Sequence, residues 1–386
     1  MRVLIIAEYY PRETDPTLGV WAHRQAVAAR DCGAEVRVLV LHRPVPSLAD
    51  VRRRDVRAVR AAFGQPPRAV LDGIAVDYLR YVSPPRPWAY ASWGAWAAPV
   101  LRHALPRIRA TFPFELIHAH YAVPAGDAVR RAAPDVPLVV SVHGGDVHGG
   151  HADSRTVRMT LAHAALVLAN SAGTARRCQQ RGAARTRVVH LGTDMPTRPA
   201  RRPSAPTLVS VGNLIARKRH ADVIEAVAML RERHPRIRYV IAGDGPEREA
   251  LVDRAAARGV TDVMELRGRL PHPEAVAAGR GGSLFVLPSV AEAFGVSYVE
   301  AMAAGVPAIG CRGEDGPEEI AAAGGGIRLV APRQPRELAN TIATLLGDPS
   351  KMAILGREAR ETVAREFTWD RCGSNTVTAY EDALHG

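Results

Sequence analysis

The sequence predicts an α/β protein made of two halves, each a parallel β-sheet covered by helices. Its 386 residues suffice for two domains of ordinary size. Short apolar segments alternate with segments of helical periodicity through most of the chain. A stretch rich in Pro and Arg at 195–206, MPTRPARRPSAP, has no periodic pattern and separates two such series. Ligands of doubly wound sheets bind at the carboxyl ends of the strands, so candidate site residues are sought there.

The first half opens with a strand and a helix, and Gly33 stops that helix. Strands are predicted at 2–7, 35–41, 73–82, 116–119, 138–142, 166–169 and 188–191, and helices at 20–32 and 97–110. In the second half the predicted strands are 207–211, 238–242, 263–267, 284–287 and 308–310. Its helices are 221–234, 247–258, 273–278, a short one starting at 297, 335–346 and 351–366.

These elements predict a domain at 1–194, a linker at 195–206, a second domain at 207–367 and a final helix at 368–386. The final helix is amphipathic, and we expect it to cross back and pack on the first domain.

Composition narrows the class of protein. The net charge is +12, yet only Lys218 and Lys351 are lysines. The abundance of Arg and Ala is explained as well by the base composition of the genome as by a selected basic surface. Nothing resembles a nucleic-acid-binding module, so no nucleic-acid partner is expected. The four cysteines are far apart, as in a protein of a reducing cytoplasm. The first residues resemble a strand rather than a signal peptide, and no apolar run approaches a membrane span. We therefore expect a cytoplasmic protein.

The most informative stretch is 287–311, LPSVAEAFGVSYVEAMAAGVPAIGC. It joins a strand end, a turn at Gly295 and a helix start, an arrangement that favours anion binding. We place Glu300 in the first helical turn, where its carboxylate can bind both hydroxyls of a ribose. Ser297 and Glu300 also have the spacing of a capping box, which needs no ligand. Both interpretations remain open from the sequence. Glu292 lies before the helix and has no capping role.

Two further turns follow strands of the second half. In 211–218, VGNLIARK, a Gly turn precedes Arg217 and Lys218, which suits a diphosphate. Lys218 stands out because the chain uses Arg almost everywhere else, and a compact ammonium differs from a planar guanidinium. The alternative is a solvated helix start. The turn 242–247, AGDGPE, is best explained as a tight turn with Pro at the start of a helix.

In the first half, His143 stands at a strand end before two glycines, and His120 ends another strand. Both are candidates for a ligand site, although a hydrogen-bonded structural histidine explains His120 equally well. Taken together, His143, Asp146, His148 and His151 also resemble a set of metal ligands. We disfavour a metal there because the glycines indicate a mobile loop. Gly19, in a long loop after the first strand, lets the backbone approach a ligand.

Together these motifs resemble the retaining glycosyltransferases of family 4, over essentially the whole chain. The most specific match is PS-x-x-E-x-FG-x-x-x-x-EAMA-x-G-x-P, with its two glutamates at Glu292 and Glu300. HG-x-D at 143–146, Asn-Ser at 170–171, Gly-Thr-Asp at 192–194 and the AGDGP turn follow in the family's order. The resemblance implies the GT-B fold, in which two Rossmann-like domains face each other across a cleft.

The resemblance also implies roles for individual residues. Glu300 would hold the ribose, Glu292 would lie near the donor sugar, and His143 would contact that sugar near the reacting carbon. Lys218, assisted by Arg217, would neutralise the diphosphate. The remaining donor-binding positions are Gly19, Gly212, Asn213, Gly243, Phe294, Gly295 and Val296, with Arg269 and Leu270 beside the base.

This sequence departs from the family pattern at two places. Asn213 stands where the family usually has Arg, which removes one cation from the diphosphate site, and Arg217 is a candidate replacement. The first loop has one glycine, Gly19, where the family usually has a pair. Both departures concern phosphate binding rather than the class of enzyme.

The implied activity is retaining, metal-independent transfer of a hexosyl unit from a UDP- or GDP-sugar to a hydroxyl acceptor. Candidate pathways are the synthesis of cell-envelope polysaccharide, glycolipid or secondary-metabolite glycosides. No cofactor is expected besides the nucleotide-sugar co-substrate. Front-face attack would pass through an oxocarbenium-like state, with the departing phosphate taking the acceptor proton. Domain closure would exclude water.

The acceptor is a sugar, a lipid-linked sugar or a small molecule, and its predicted contacts are His120, Asp146, Trp88 and Trp93. A possible helix at 51–63, VRRRDVRAVRAAF, carries five arginines near these tryptophans. That combination suits peripheral binding to an anionic membrane at the inner face of the plasma membrane. A solvated basic loop beside a buried aromatic cluster is the alternative.

Other classes of protein are also compatible with parts of the sequence. A GT-B nucleotide-sugar epimerase would act on the donor alone, and an inactive relic, consistent with Asn213, would bind nucleotide without turnover. A dehydrogenase is disfavoured because AEYY at 7–10, after the first strand, lacks the glycine fingerprint. A two-lobed exported binding protein is disfavoured because we find no export signal.

Overall fold

The computed structural model describes residues 1–45, 53, 55–57 and 63–385, apart from the side chains of Pro87 and Trp88. It forms two compact units, one of Met1–Leu191 with Trp369–Gly386 and one of Gly192–Thr368. Most of the predicted arginine-rich helix at 51–63 lies outside the described residues, as does the side chain of Trp88. No helix of the described residues is long and apolar enough to cross a membrane.

The described part of the first unit contains an eight-stranded sheet in the order β3-β4-β2-β1-β5-β6-β7-β8. Its strands are β1 (Arg2–Ala7), β2 (Glu35–His42), β3 (Arg68–Leu71), β4 (Ile74–Arg80), β5 (Leu116–His120), β6 (Leu138–Val142), β7 (Leu166–Ala169) and β8 (Thr186–Val188). All neighbours pair in parallel except β3 and β4. The central strands are apolar on both faces because helices cover both.

The helices of this unit are α1 (Val20–Asp31), α2 (Arg86–Ala89), α3 (Trp93–Thr111), α4 (Asp127–Ala132), α5 (Gly144–His148), α6 (Arg155–His163) and α7 (Ala172–Gln180). The β3–β4 hairpin was not predicted. Asp72 and Gly73 at its tip both have positive φ, 46° and 78°. An Asp-Gly pair of this kind is a strong hairpin signal, so the sequence contained the information.

The second unit contains a six-stranded parallel sheet in the order β11-β10-β9-β12-β13-β14. Its strands are β9 (Thr207–Val211), β10 (Arg238–Ala242), β11 (Met264–Leu266), β12 (Leu284–Val286), β13 (Ala308–Cys311) and β14 (Ile327–Val330). Its helices are α8 (His220–Leu230), α9 (Arg248–Ala257), α10 (His272–Arg280), α11 (Val296–Met302), α12 (Asp315–Ala323), α13 (Pro335–Leu346) and α14 (Pro349–Glu366).

The stretch at 195–206 belongs to the second unit and is bonded to it. Ala200 N donates to Ala304 O at 2.8 Å, and Arg202 Nη2 donates to Met352 O at 2.6 Å. Arg360 Nη2 reaches Pro196 O at 2.6 Å. The stretch predicted as a linker is therefore an ordered segment packed on that unit.

The final helix, α15 (Trp369–His385), packs on α1 of the first unit. Gln25 Nε2 donates to Thr376 Oγ1 at 3.0 Å between the two helices. They approach so closely that a Cβ on Gly373 would lie 2.2 Å from Ala28 O. A small residue is therefore required at that crossing.

Candidate active site

Two glycine-containing loops of the second unit meet where β9 and β10 end. A Cβ on Gly243 would lie 1.9 Å from Gly212 O, and one on Gly245 would lie 2.5 Å from Leu214 O. Leu214 N donates to Asp244 O at 3.0 Å. Arg248 N donates to Gly245 O at 3.1 Å, so the stretch forms the tight turn that we expected, although Pro246 lies two residues before the first helical residue of α9, Arg248. The glycines also allow the two loops to touch.

The loop after β9 brings Lys218 to Glu292. Val290 N donates to Arg217 O at 2.8 Å, which ties this loop to the one after β12. Lys218 Nζ then lies 2.6 Å from Glu292 Oε2, and Arg217 Nη1 lies 3.7 Å from the same oxygen. The side chains of Lys218 and Glu292 are only 11% and 9% exposed. The solvated helix start that we considered for Lys218 is therefore wrong.

Glu292 is ionised in this environment. Burial raises the pKa of its carboxyl, but Lys218 and Arg217 lower it further, so the net shift is downward. Ser289 Oγ also donates to Oε2, at 2.8 Å. The backbone of Glu292 is held as well, because its N donates to Glu314 Oε2 at 3.0 Å. Glu292 thus holds the Lys218 ammonium at the strand ends, a buried pairing whose desolvation is costly.

Helix α11 begins two residues earlier than a capping box at Ser297 requires. Its N-cap is Gly295, at φ 83°, and no side chain caps it. The capping-box interpretation is therefore wrong, and Glu300 begins the second helical turn rather than lying in the first. Its Oε1 lies 3.0 Å from His272 Nε2. Helix capping therefore does not explain Glu300. The structural contact of its carboxylate is with His272 of α10.

The remaining donor candidates of the second unit lie on loops at or near strand ends. Asn213 O accepts from Ile215 N at 3.0 Å, so this residue shapes the loop that carries Lys218. Arg269 is exposed, and the half-buried Leu270 lines a pocket together with Val209. Phe294 and Val296 flank Gly295, where a Cβ would lie 2.5 Å from the Tyr298 ring.

In the first unit, His143 and His120 form a stacked pair. His143 Nε2 lies 3.2 Å from His120 Nδ1, and the rings are 5.5 Å apart at 11°. Burial lowers the pKa of His143 to about 4, so its imidazole is neutral at pH 7. His120 Nε2 is buried with no hydrogen-bond partner among the described residues. The sequence predicted both strand-end positions but not the bond between them.

Asp146 is bound to backbone amides. Its carboxylate accepts from Ala122 N and His143 N, both at 3.0 Å, and burial raises its pKa to about 7. Residues Gly144–His148 form helix α5 rather than the loop that we expected from the glycines. Within the described part of the chain, no group of three or more His, Cys, Asp or Glu is arranged to hold a metal. By accepting these two hydrogen bonds, Asp146 fixes the backbone at Ala122 and His143.

Trp93 belongs to the core rather than to a binding surface. It is 4% exposed, and its Nε1 donates to Pro84 O at 2.9 Å. The direct acceptor contact predicted for Trp93 does not fit this position, because core packing covers the ring. Trp96, one turn further along α3, is 51% exposed. Trp93 instead shares the buried face of α3 with Ala97, Leu101 and Leu105, at the spacing that the apolar face of a helix requires.

Gly19 is required by the backbone of the first loop. It caps α1 at φ 64°, and a Cβ there would lie 2.1 Å from Tyr9 O. We expect Gly19→Ala to destabilise the protein by about 2 kcal/mol or more, because both strain and a clash oppose it. Gly150→Ala is the matched control, since nothing lies within 4 Å of its Cβ position. Equal denaturation midpoints for the two variants would contradict this assignment.

Comparisons with known proteins identify the class of enzyme and the fold. The family profile described as "Glycosyltransferase Family 4" matches residues 18–195, and "Glycosyl transferases group 1" matches residues 194–362. The chain belongs to the family 4 type of glycosyltransferases. It is a glycosyltransferase with the GT-B fold.

Individual relatives of this glycosyltransferase are moderately similar. Glycogen synthase of Mycobacterium tuberculosis is 29% identical over 290 residues, 70% of each chain. A 2-deoxystreptamine glucosyltransferase of Streptomyces kanamyceticus is 32% identical over 179 residues, 46% of each chain.

Solved structures share the fold over almost the full length. Sucrose-phosphate synthase of Thermosynechococcus elongatus has a TM-score of 0.78 at 19% identity, covering 99% of this chain and 98% of that one. Anabaena HepE in complex with UDP and glucose has a TM-score of 0.72 at 20% identity, covering 99% of both chains.

Proposed function

We propose that this glycosyltransferase moves a hexosyl unit from a nucleoside-diphosphate sugar to a hydroxyl acceptor, with retention of configuration and without a metal cofactor. The observation that carries the proposal is the position of Lys218 and Arg217 beside Glu292 at the strand ends of the second unit. A buried ammonium held in place by a carboxylate is preorganised to meet a polyanion.

The chemical step requires positive charge where the diphosphate departs. Lys218 and Arg217 present two cations against one carboxylate, so the group keeps a net positive charge. Bond cleavage to an oxocarbenium-like sugar leaves negative charge on the diphosphate, and these cations stabilise it as it forms. The same charge serves the role that a divalent metal has in other phosphoryl leaving-group chemistry.

The nucleoside end of the donor is assigned to Glu300 and to the backbone around Gly295. Glu300 places one carboxylate oxygen 3.0 Å from His272, and we assign ribose hydroxyls to this carboxylate. HepE was crystallised with UDP-glucose, so UDP-glucose is the first donor to try. Arg269 and Leu270 follow the end of β11 and are assigned to the base.

Retention and front-face attack rest on membership of the family. A departing phosphate oxygen takes the proton of the acceptor hydroxyl, so no separate general base is required. His143, neutral at pH 7 because burial lowers its pKa to about 4, contacts the transferred sugar without accepting that proton. The first unit supplies the acceptor side, at the carboxyl ends of β5 and β6.

The test is a panel of UDP-, GDP- and dTDP-sugars screened for thermal stabilisation, each with and without EDTA. We expect one nucleotide series to raise the denaturation midpoint in both conditions, and that donor to release nucleoside diphosphate when acceptors are added. An epimerase would instead convert the donor into its isomer with no acceptor present. Stabilisation that depends on a metal, or no response to any nucleotide sugar, would contradict the proposal.

A further inference from the structure

Three adjacent parallel strands of the first unit end in residues that the donor chemistry does not use. Glu8 directly follows β1, Arg43 follows β2 and Tyr81 follows β4. Arg12, from the loop after β1, and Arg86, from α2, lie within electrostatic reach of Glu8. We refer to Glu8, Arg12, Arg43, Tyr81 and Arg86 as the arginine cluster. Carboxyl ends of neighbouring parallel strands are the usual place of a ligand site.

The charges of the arginine cluster are not neutralised in pairs. The Glu8 carboxylate accepts from Tyr90 OH at 3.2 Å, and no arginine nitrogen of the described residues forms an ion pair with it. Arg12 Nη2 donates to Glu8 O, the backbone carbonyl, at 3.0 Å. Arg43 Nη2 donates to Ser83 O at 3.0 Å. Backbone carbonyls thus hold two guanidinium groups in place while leaving their charge uncompensated.

Aromatic rings hold the third guanidinium. Arg86 lies 4.3 Å above the Tyr90 ring and 5.7 Å from the centre of the Tyr9 ring. A ring face orients an arginine without removing its positive charge. Burial raises the pKa of Glu8 to about 7, so its carboxyl is only partly ionised at neutral pH. The cluster therefore carries a net charge of at least two positive units.

Three polar groups of the cluster are buried without a hydrogen-bond partner among the described residues. They are Arg12 Nε, Arg43 Nε and the hydroxyl of Tyr81, which is only 2% exposed. Burial and Glu8 raise the pKa of Tyr81 while Arg43 and Arg12 lower it, so its hydroxyl lies among these charges. Buried donors are nearly always satisfied in folded proteins, so unpaired ones indicate a missing ligand or water.

Two other carboxylates act on the cluster but do not occupy it. Asp146 lies within electrostatic reach of Glu8, but its two carboxylate oxygens accept hydrogen bonds from the backbone N–H groups of Ala122 and His143, both at 3.0 Å. Asp15 acts on Arg12 and accepts from Thr17 Oγ1 at 2.8 Å. Once these two carboxylates are counted, the positive excess falls to about one unit, because burial raises the pKa of both Glu8 and Asp146 to about 7 and leaves each about half ionised at neutral pH.

We infer that the arginine cluster binds an anionic group, a phosphate ester or a carboxylate, that the acceptor carries. The inference rests on the proposed function, because it specifies what the acceptor side of that reaction selects. Guanidinium groups bind both anions through paired N–H donors, and the Tyr81 hydroxyl adds a further donor. The cluster lies on the same sheet edge as His120 and His143, since β1 pairs with both β2 and β5. The reacting hydroxyl is assigned to the β5–β6 side and the anionic group to the β1–β2–β4 side.

The experiment measures anion binding directly, on the full-length double variant Lys218→Met with Glu292→Gln, which removes the buried ammonium of the second unit without leaving an unpaired carboxylate. Inorganic phosphate, glucose, glucose 6-phosphate and glucuronate are titrated in a calorimeter. We expect phosphate to bind, and glucose 6-phosphate or glucuronate to bind at least tenfold more tightly than glucose. The better of the two charged sugars identifies a phosphate ester or a carboxylate as the natural group.

Adding Arg43→Gln should weaken binding of phosphate and of the charged sugar at least tenfold. Arg86→Gln is the second variant, in case Arg43→Gln does not fold as judged by circular dichroism. Arg102→Gln is the matched control, because this arginine lies on α3 and donates to Arg131 O on the surface. No phosphate binding, or binding that neither cluster variant weakens, overturns the inference. A failure of the proposed function is distinguished by the thermal-stabilisation panel, in which the wild-type protein would then respond to no nucleotide sugar.

Discussion

Replacing Lys218 by alanine should lower the rate of nucleoside-diphosphate release from the donor about a hundredfold. The expected loss is that of one preorganised charge stabiliser, which is typically worth a factor of about 100 to 1,000 in kcat. The ammonium lies 2.6 Å from Glu292 and is mostly buried, so no other lysine can substitute for it. Steady-state assays of the released nucleotide at saturating donor measure the effect.

A matched control exists because the chain has only one other lysine, Lys351, on α14. Lys351→Ala should retain the full rate. Lys218→Ala should also destabilise the fold, by about 3–5 kcal/mol, because it leaves the buried Glu292 with only the more distant Arg217. The double variant Lys218→Met with Glu292→Gln removes both charges and should recover stability but not rate. A normal rate in Lys218→Ala would contradict the diphosphate assignment.

Replacing Glu300 by alanine should weaken nucleotide binding about 10- to 100-fold. A hydrogen bond to a charged group is worth about 1.5–3 kcal/mol, and the carboxylate is assigned to the ribose hydroxyls. Calorimetric titration with the nucleoside diphosphate of the preferred donor measures the change. Glu300→Gln should fall between the wild type and the alanine variant, because it keeps the shape but not the charge.

The same variant separates a structural role from a binding role. Because Gly295 caps α11 without a side chain, Glu300 does not stabilise the start of that helix. Its removal should therefore lower the denaturation midpoint only through the loss of its 3.0 Å contact with His272, whose side chain is 39% exposed. Glu249→Ala, on the exposed face of α9, is the control for loss of a surface carboxylate. Unchanged nucleotide affinity together with lower stability would contradict the ribose assignment.

The sequence was sufficient to predict most strands of both sheets, because local signals there agree with the tertiary arrangement, but it did not predict β3 or β14. Buried parallel strands are continuous apolar runs, and those at 138–142 and 207–211 match β6 and β9. It was misleading at the start of α11, where the Ser297–Glu300 spacing imitates a capping box. The positive φ of Gly295 starts the helix two residues earlier, and that depends on packing against Tyr298.

The side-chain pairs of the site could not be predicted, because they join distant parts of the chain. Lys218 and Glu292 are 74 positions apart, and their contact depends on the loops after β9 and β12. His120 and His143 meet for the same reason, across 23 positions. The arginine cluster was missed because its members follow different strands and form no local motif. The sequence indicated this cluster only by placing Glu8, Arg43 and Tyr81 immediately after the ends of strands.

The most direct test of the central claim, that Lys218 receives the diphosphate of a nucleotide sugar, is a calorimetric comparison of nucleoside, nucleoside monophosphate and nucleoside diphosphate. The three ligands are titrated into wild-type and Lys218→Ala protein in EDTA. We predict that the second phosphate strengthens binding to the wild type at least tenfold and contributes little in Lys218→Ala, while the bare nucleoside binds both equally. An equal gain from the second phosphate in the two proteins would contradict the account.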